Sequence, residues 1–226
     1  MTRSQSRRSA RPYHHGDLRA ACLAHGRALL ASAGLEAVTL REIARRAGVS
    51  PRAPYRHFAQ RDALLAAIAE DGFADFGAAL ARARDRAGDD HGDRLRALAR
   101  AYLGFAAAHP ALLALMFGDA IALRARRFPA LARAAFATFA ILRDEVAAVS
   151  AARDRAGQAR HAAIAWALVH GLAELGRTGQ LAQVLGASGA RGLDAAAARV
   201  LTAGLGAPAP AGAVSAPKRR RPQRFR

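Results

Sequence analysis

Residues 39–67 read TLREIARRAGVSPRAPYRHFAQRDALLAA, and the fold turns on how this stretch is parsed. Thr39 followed by Glu42 has the capping-box pattern, in which the hydroxyl accepts from the backbone near Glu42 and the carboxylate reaches back. Leu40, Ile43, Ala44 and Ala47 then form one apolar face on a helix of barely two turns. Gly48 ends it, at a point where a left-handed backbone is easiest for glycine. Ser50-Pro51 opens a second segment, a hydroxyl cap followed by proline at the first helical position. The pattern predicts a short helix over Pro51–His57, and Pro54 removes one early backbone donor that so brief a helix tolerates. Two short helices around a glycine turn make a helix-turn-helix, with Val49 plugging the space between them. Phe58 is then core. The second helix is left presenting Arg52, Tyr55, Arg56 and His57 outward.

Working outward, the flanks read as helix on both sides. Before the motif, Leu18, Cys22, Leu29 and Leu30 recur at helical spacing from Asp17 to Ala33, and Gly34 follows as a stop. After it, a longer helix runs from Asp62 to about Arg86 with Leu64, Leu65, Ile68, Phe76 and Leu80 on one stripe. Gly88–Gly92 reads as a loop. Leu95, Leu98, Tyr102 and Phe105 form the next stripe, broken at His109-Pro110 ahead of a short apolar helix over Ala111–Phe117. Leu131, Ala135, Phe139, Leu142, Val146 and Val149 step by three and four after Pro129. Ile164, Leu168, Leu172 and Leu175 do so after Gly157, and a last helix covers about Leu193–Ala203. No stretch alternates as a strand would. The expectation is an all-α chain of about nine helices: a basic tail over 1–16, a three-helix helix-turn-helix domain over 17–62, a larger helical domain over 63–205, and a second basic tail over 206–226.

Composition fits this reading and narrows the function. The chain has 226 residues, 52% of them hydrophobic, and a net charge of +18. Ten of those excess charges lie in residues 1–16 and 207–226, where no acid occurs, which leaves +8 for the body. A polyanionic partner follows naturally, nucleic acid above all, although basic ends rich in Pro and Ala are also what solvated tails look like. The one cysteine, Cys22, excludes an internal disulfide and any cysteine-based zinc site. The basic, polar start does not resemble a signal peptide, and the uncharged runs Ala101–Gly118 and Val200–Pro217 are too poor in strongly apolar residues to span a bilayer. The chain therefore reads as cytoplasmic, without a membrane partner. His14-His15 has no third ligand at matched spacing, so no metal and no cofactor is expected.

The stretch Thr39–Ala67 resembles the DNA-binding signature of TetR-type regulators. The resemblance extends to Tyr13–Asp17 and returns in the spacing of Trp166, His170 and Gly171, which is similar to the C-terminal domain type named for Trp, His and Gly. It implies a homodimer whose two recognition helices read a palindromic operator in double-stranded DNA. The C-terminal helices would supply the dimer interface and a cavity for a small-molecule effector, and repression would be relieved when that effector binds. By position, it implies that Tyr55, His57 and Arg61 face phosphates, Arg61 standing where the family usually has lysine. Thr39 matches a cap that also touches the DNA backbone, and Arg41 a position that reaches a base or phosphate. Ser50, Pro51, Arg52 and Ala53 lie on the leading edge, beside Arg56, with Arg52 the candidate for a bidentate contact to guanine. Pro54 departs from the general family pattern and suits the Trp-His-Gly subgroup.

The candidate pocket wall is Tyr102, Phe105, Met116, Phe117, Phe139, Trp166 and His170. Core packing competes as a reading for Met116 with Phe117 and for Trp166 with His170. Arg45 and Arg46 read as a solvated face, and Arg124, Arg126 and Arg127 as a solvated loop before an anion site. The dimer face is expected on Ile164–Leu175 and Leu193–Leu205, where intramolecular core is the competing reading. Two other functions compete. An enzyme lacks a Gly-rich phosphate loop, a nucleophile in a recognisable setting and a ligand cluster; Glu174 and His170 on one helical face do not make one. A non-specific coating protein would show no preference for an operator over random duplex.

Overall fold

The structure, a computed structural model, describes residues 18–118, 127–186 and 192–206. Both tails, with Tyr13–Asp17, and Arg124 and Arg126 lie outside those residues. Every regular element among the described residues is helical. In chain order these are α1 (Leu18–Ala33), α2 (Leu40–Arg46), α3 (Arg61–Arg86), α4 (His91–Ala108) and α5 (Pro110–Phe117). Then come α6 (Pro129–Val149), α7 (Arg155–Arg177), α8 (Gln180–Leu185) and α9 (Leu193–Gly206). Two 3-10 turns, Leu35–Ala37 and Ala53–Arg56, flank α2.

The long helix α3 organises the molecule. Its first half buries Leu64, Leu65 and Ile68 in one core with Leu29, Val38, Leu40, Ile43 and Phe58 of the N-terminal region. Its second half buries Phe73, Phe76 and Leu80 in the bundle formed with α4, α5 and α6. Each such side chain contributes roughly 1.5–3 kcal/mol on burial, so the apolar stripe alone accounts for the helix keeping its course. A boundary near residue 62 therefore falls at the start of one continuous helix that serves both regions.

The joint between α3 and α5 is close. A Cβ on Gly72 would lie 2.8 Å from Met116 Sδ and 3.0 Å from Leu112 Cδ1, so any side chain there would have to push both aside. Helix α5 follows α4 after a sharp bend of 107° at His109-Pro110. No single helix among the described residues is long and apolar enough to cross a membrane. Thr138, buried on α6, donates its hydroxyl to the Phe73 carbonyl of α3 at 2.9 Å and shares it with Ala134 on its own helix. Glu145, also buried on α6, meets His91 Nδ1 at 2.8 Å and Arg94 at 3.8 Å, which ties α6 to the start of α4. Arg100 on α4 holds Asp194 on α9 at 2.7 Å.

Three local expectations change. The second helix of the motif is not an α-helix over Pro51–His57 but a turn followed by one 3-10 turn, Ala53–Arg56. Its bonds run three residues back, Ala53 N–H to Ser50 and Tyr55 N–H to Arg52, because Pro54 has no N–H to give Ser50 the four-residue bond. Glu42 does not reach back to close a capping box. Thr39 accepts from Glu42 N–H at 3.2 Å, but the carboxylate is taken by Arg45 at 2.7 Å and Arg46 at 2.9 Å. His91 and Gly92 belong to α4 instead of a loop, because Asp90 caps the helix by accepting from Asp93 N–H at 2.8 Å.

Candidate nucleic-acid interface and internal cavity

The end of α2 and the 3-10 turn are set by a few apolar anchors. Gly48, at φ +66°, makes the left-handed step out of α2, and Val49 N–H bonds the Ala44 carbonyl at 3.0 Å across the turn. Pro54 and Phe58 are buried beneath the second segment, while Val49 and Ala53 pack against the core edge. With those four turned inward, Ser50, Pro51, Arg52, Tyr55, Arg56 and His57 are all exposed, and Tyr55 keeps 53% of its surface open. Arg41, exposed on the first turn of α2, borders a shallow groove with Thr39, Val49 and Pro51.

The cations of this region fall into two groups. Among the described residues, Arg41, Arg52 and Arg56 have no carboxylate partner. Arg45 and Arg46 are bound to Glu42, whose carboxyl their hydrogen bonds bring down to about 2. Arg61 is also committed. Its Nε donates to the Val38 carbonyl at 2.8 Å and its Nη2 to the Leu35 carbonyl at 2.6 Å, with Glu36 at 3.7 Å. Arg61 thus braces the chain between α1 and α2 onto α3, a role that sequence reasoning missed because helix periodicity does not show contacts to distant carbonyls.

A second feature lies inside the C-terminal bundle. A cavity of about 580 Å³ opens between α3, α4, α5, α6 and α7. Tyr102, Met116, Phe117, Phe139 and Trp166 line it. Phe105 and His170 stand one layer back. Phe105 packs on Phe76 with ring centroids 4.8 Å apart, and His170 Nδ1 is hydrogen-bonded to the Tyr102 hydroxyl at 2.8 Å and lies 4.8 Å from the Phe117 ring. Burial lowers the His170 imidazole below its ordinary value against the opposing pull of Glu174, and burial raises the Tyr102 phenol. Phe73, Phe76 and Leu80 from α3 and Leu131, Thr138 and Leu142 from α6 complete the wall. Phe76, Leu80, Leu131 and Leu142 read in the sequence simply as helix stripes, and a stripe looks the same whether it faces core or cavity.

Trp166 is 37% exposed and Phe136 64% exposed at the open side of this cavity. Ile164, Leu175 and Val200 are exposed as well, so part of the apolar stripe of α7 faces outward while Ala162, Ala165, Val169 and Ala173 take the buried side. Among the described residues no group of three His, Cys, Asp or Glu is placed to hold a metal ion.

Comparison with known proteins agrees with this arrangement. Residues 23–68 match the family model described as bacterial regulatory proteins of the tetR family, and residues 95–205 match the one described as a tetracyclin repressor-like C-terminal domain. An HTH-type transcriptional regulator of Mycobacterium tuberculosis (strain ATCC 25618 / H37Rv) is 37% identical over 97 residues, which is 42% of this chain and 42% of that protein. The match thus spans less than half the length of this curated relative. Among solved structures, a protein of unknown function from Rhodococcus sp. RHA1 is 36% identical, with 88% of this chain and 100% of that chain covered and a TM-score of 0.71. A bacterial regulatory protein in the tetR family from Rhodococcus RHA1 shares the fold at 22% identity and a TM-score of 0.57, over 84% of this chain and 97% of its own. With both of its regions matched and the exposed turn seated where the N-terminal match lies, the chain belongs to the TetR family of DNA-binding transcriptional regulators, which are not enzymes.

Proposed function

We propose that this regulator is a homodimeric repressor in the cytoplasm that reads a palindromic operator and leaves it when a small molecule fills the cavity. The observation that carries the DNA-reading part is the sorting of one short segment. Pro54 and Phe58 point into the core while Arg52, Tyr55, Arg56 and His57 project together, with Arg41 and Arg52 unclaimed by any carboxylate among the described residues. Arg52 is the base reader, its fork suited to guanine O6 and N7. Thr39, Arg41, Tyr55, Arg56 and His57 position the protein on phosphates, and Ser50, Pro51 and Ala53 form the close-approach edge. Arg61 supports them from behind.

The division into a DNA-reading unit over 17–62 and a regulatory unit over 63–205, and the Trp-His-Gly type of the latter, belong to the same proposal. So does the dimer, with Ile164 and Leu175 on α7 and Val200 on α9 as the apolar residues to be covered. Two recognition segments about one DNA turn apart, ~34–36 Å, would engage successive major-groove faces. A ligand that prefers another spacing shifts the population away from the DNA-bound form. Selection of bound duplexes from a random pool tests the reading. A palindrome with fixed half-site spacing is expected, preferred over random duplex by a factor commonly ~10³ or more. Equal binding to all duplexes would refute it. Titrating compounds against the selected operator then tests release.

A further inference from the structure

Two basic runs look alike in the sequence: Arg3, Arg7, Arg8 and Arg11 with no acid in residues 1–16, and Lys218, Arg219, Arg220, Arg221, Arg224 and Arg226 with no acid in residues 207–226. The structure roots them in different places. Leu18, where α1 begins, is buried in the same core as Phe58, and α1 packs against the 3-10 turn Ala53–Arg56. Arg19 is exposed beside it, and its guanidinium carbon lies 5.8 Å from the centre of the Phe58 ring. Phe58 N–H in turn bonds the Pro54 carbonyl of the 3-10 turn at 3.0 Å. Arg19 therefore stands next to the turn that projects Arg52, Tyr55, Arg56 and His57, and no carboxylate pairs with it among the described residues. A ring beneath a guanidinium holds it in place without neutralising it, so its charge and its N–H donors stay available to an anion.

The basic run before α1 follows from that root. Arg11 stands seven residues from Leu18, so it lies at most about 25 Å from it whatever path the chain takes. The other run leaves from elsewhere. Thr202 on α9 stands beside Gly92 at the start of α4, and the Leu205 carbonyl accepts from Ala151 N–H at 2.8 Å. It is the opposite end of α4, at Ala108, that borders Arg27 and Leu30 of α1. The 18 residues of α4, roughly 27 Å of helix, thus separate the root of the C-terminal run from α1.

Resting on the reading of the exposed turn as the DNA-contacting segment, we propose that Arg19 and the basic run before it form a second contact on the same duplex. They lie along the phosphates beside the groove that the turn enters, and the C-terminal run takes no part. The contact positions the protein and carries no base preference. Full-length variants test it on a half-site duplex with flanks on both sides, taken from the selected operator and titrated at several salt concentrations. Arg19→Ala should lower the salt slope by about one unit, and Arg19→Lys should keep it near the parent's, because lysine retains the charge while losing the planar contact with Phe58. Replacing Arg3, Arg7, Arg8 and Arg11 together by alanine should lower the slope by at least about two units, and replacing the six C-terminal cations by less than one. Base preference should stay as in the parent throughout. A parental slope in Arg19→Ala, no rescue by Arg19→Lys, or a C-terminal variant that loses as much as the N-terminal one overturns this inference. If Arg52→Ala still relaxes base preference in that case, the reading of the turn stands. Unchanged base preference in Arg52→Ala overturns the turn as the reading segment, and this inference with it.

Discussion

Arg41, Arg52 and Arg61 lie within one small region, yet their surroundings assign them different work. Arg52→Ala removes a guanidinium that touches nothing else charged among the described residues, so base preference should relax at a few operator positions, worth about 1–3 kcal/mol of discrimination each. Arg41→Ala should weaken all duplexes alike and lower the salt slope by about one unit. By position alone, Arg61→Ala would do the same. Its guanidinium is instead bonded to the Leu35 and Val38 carbonyls, so the expected result is a lower melting temperature and weaker binding, with a smaller change in salt slope than Arg41→Ala gives. Operator titrations at several salt concentrations, run beside thermal melts, separate the three. If Arg61→Ala leaves stability intact and drops the slope by a full unit, the bracing role is wrong. His170 adds a pH term. Burial holds its folded pKa below the unfolded value, so the unfolded chain binds the extra proton first as pH falls. That contribution costs nothing above the unfolded value near 6.5 and destabilises the fold progressively between there and the depressed folded value. His170→Gln should flatten this part of the stability profile, measured by denaturant unfolding from pH 7 down to pH 5.

At the scale of elements, legibility followed contact range. The helix pattern of α1, α2, α3, α6 and α7 was visible because each helix repeats apolar residues every three to four positions, and Gly48 was visible because its left-handed turn has few other solutions. The shape of the reading segment was not, since one missing N–H at Pro54 converts an expected helix into a 3-10 turn while leaving the same side chains outward. Tyr102, Met116, Phe117, Phe139 and Trp166 line the cavity and stand among the candidates named from the sequence, Phe105 and His170 of the same set lie behind it, and Phe76, Leu131 and Leu142 look identical in sequence whether a helix faces a neighbour or a void. The α3–α5 joint was invisible, because Gly72 in a helix announces nothing until the partner is placed. That joint yields a paired test. Gly72→Ala forces Met116 and Leu112 aside, an overpacking cost of about 1–3 kcal/mol set against about 1 kcal/mol of helix propensity, so it should be clearly less stable than Gly104→Ala. Gly104→Ala, exposed in the middle of α4 with nothing within 4 Å, should stabilise by about 0.5–1 kcal/mol through helix propensity. Equal effects of the two in denaturant titrations would show that the close approach carries no energy.

For the whole molecule, the question is what covers the apolar residues left outside. Ile164 at 60%, Val200 at 66% and Leu175 at 40% exposure are more than a monomeric surface needs to show on neighbouring helices, although single exposed residues of this kind are common. A second copy is the occupant that fits the proposed palindromic operator, because a two-fold axis presents the same face to itself and would set two reading segments at a fixed separation. The same dimer would carry the ligand effect. Phe117 and Met116 at the end of α5 line the cavity, while Leu112 one turn earlier packs on α3, so the wall of the pocket and the helix bearing the DNA-reading unit share a joint. Ile164→Glu should therefore be monomeric by sedimentation at micromolar concentration, with a melting curve no lower than the parent monomer's would be, since the residue makes little contact within its own chain. Affinity for a full palindrome should fall at least about a hundredfold, because the second half-site is no longer tethered to the first. Affinity for an isolated half-site should not change, since Arg52, Tyr55 and Arg56 are untouched. A parent chain that sediments as a monomer, or an Ile164→Glu chain that still dimerises and holds the palindrome, would place the interface elsewhere and return these residues to ordinary surface.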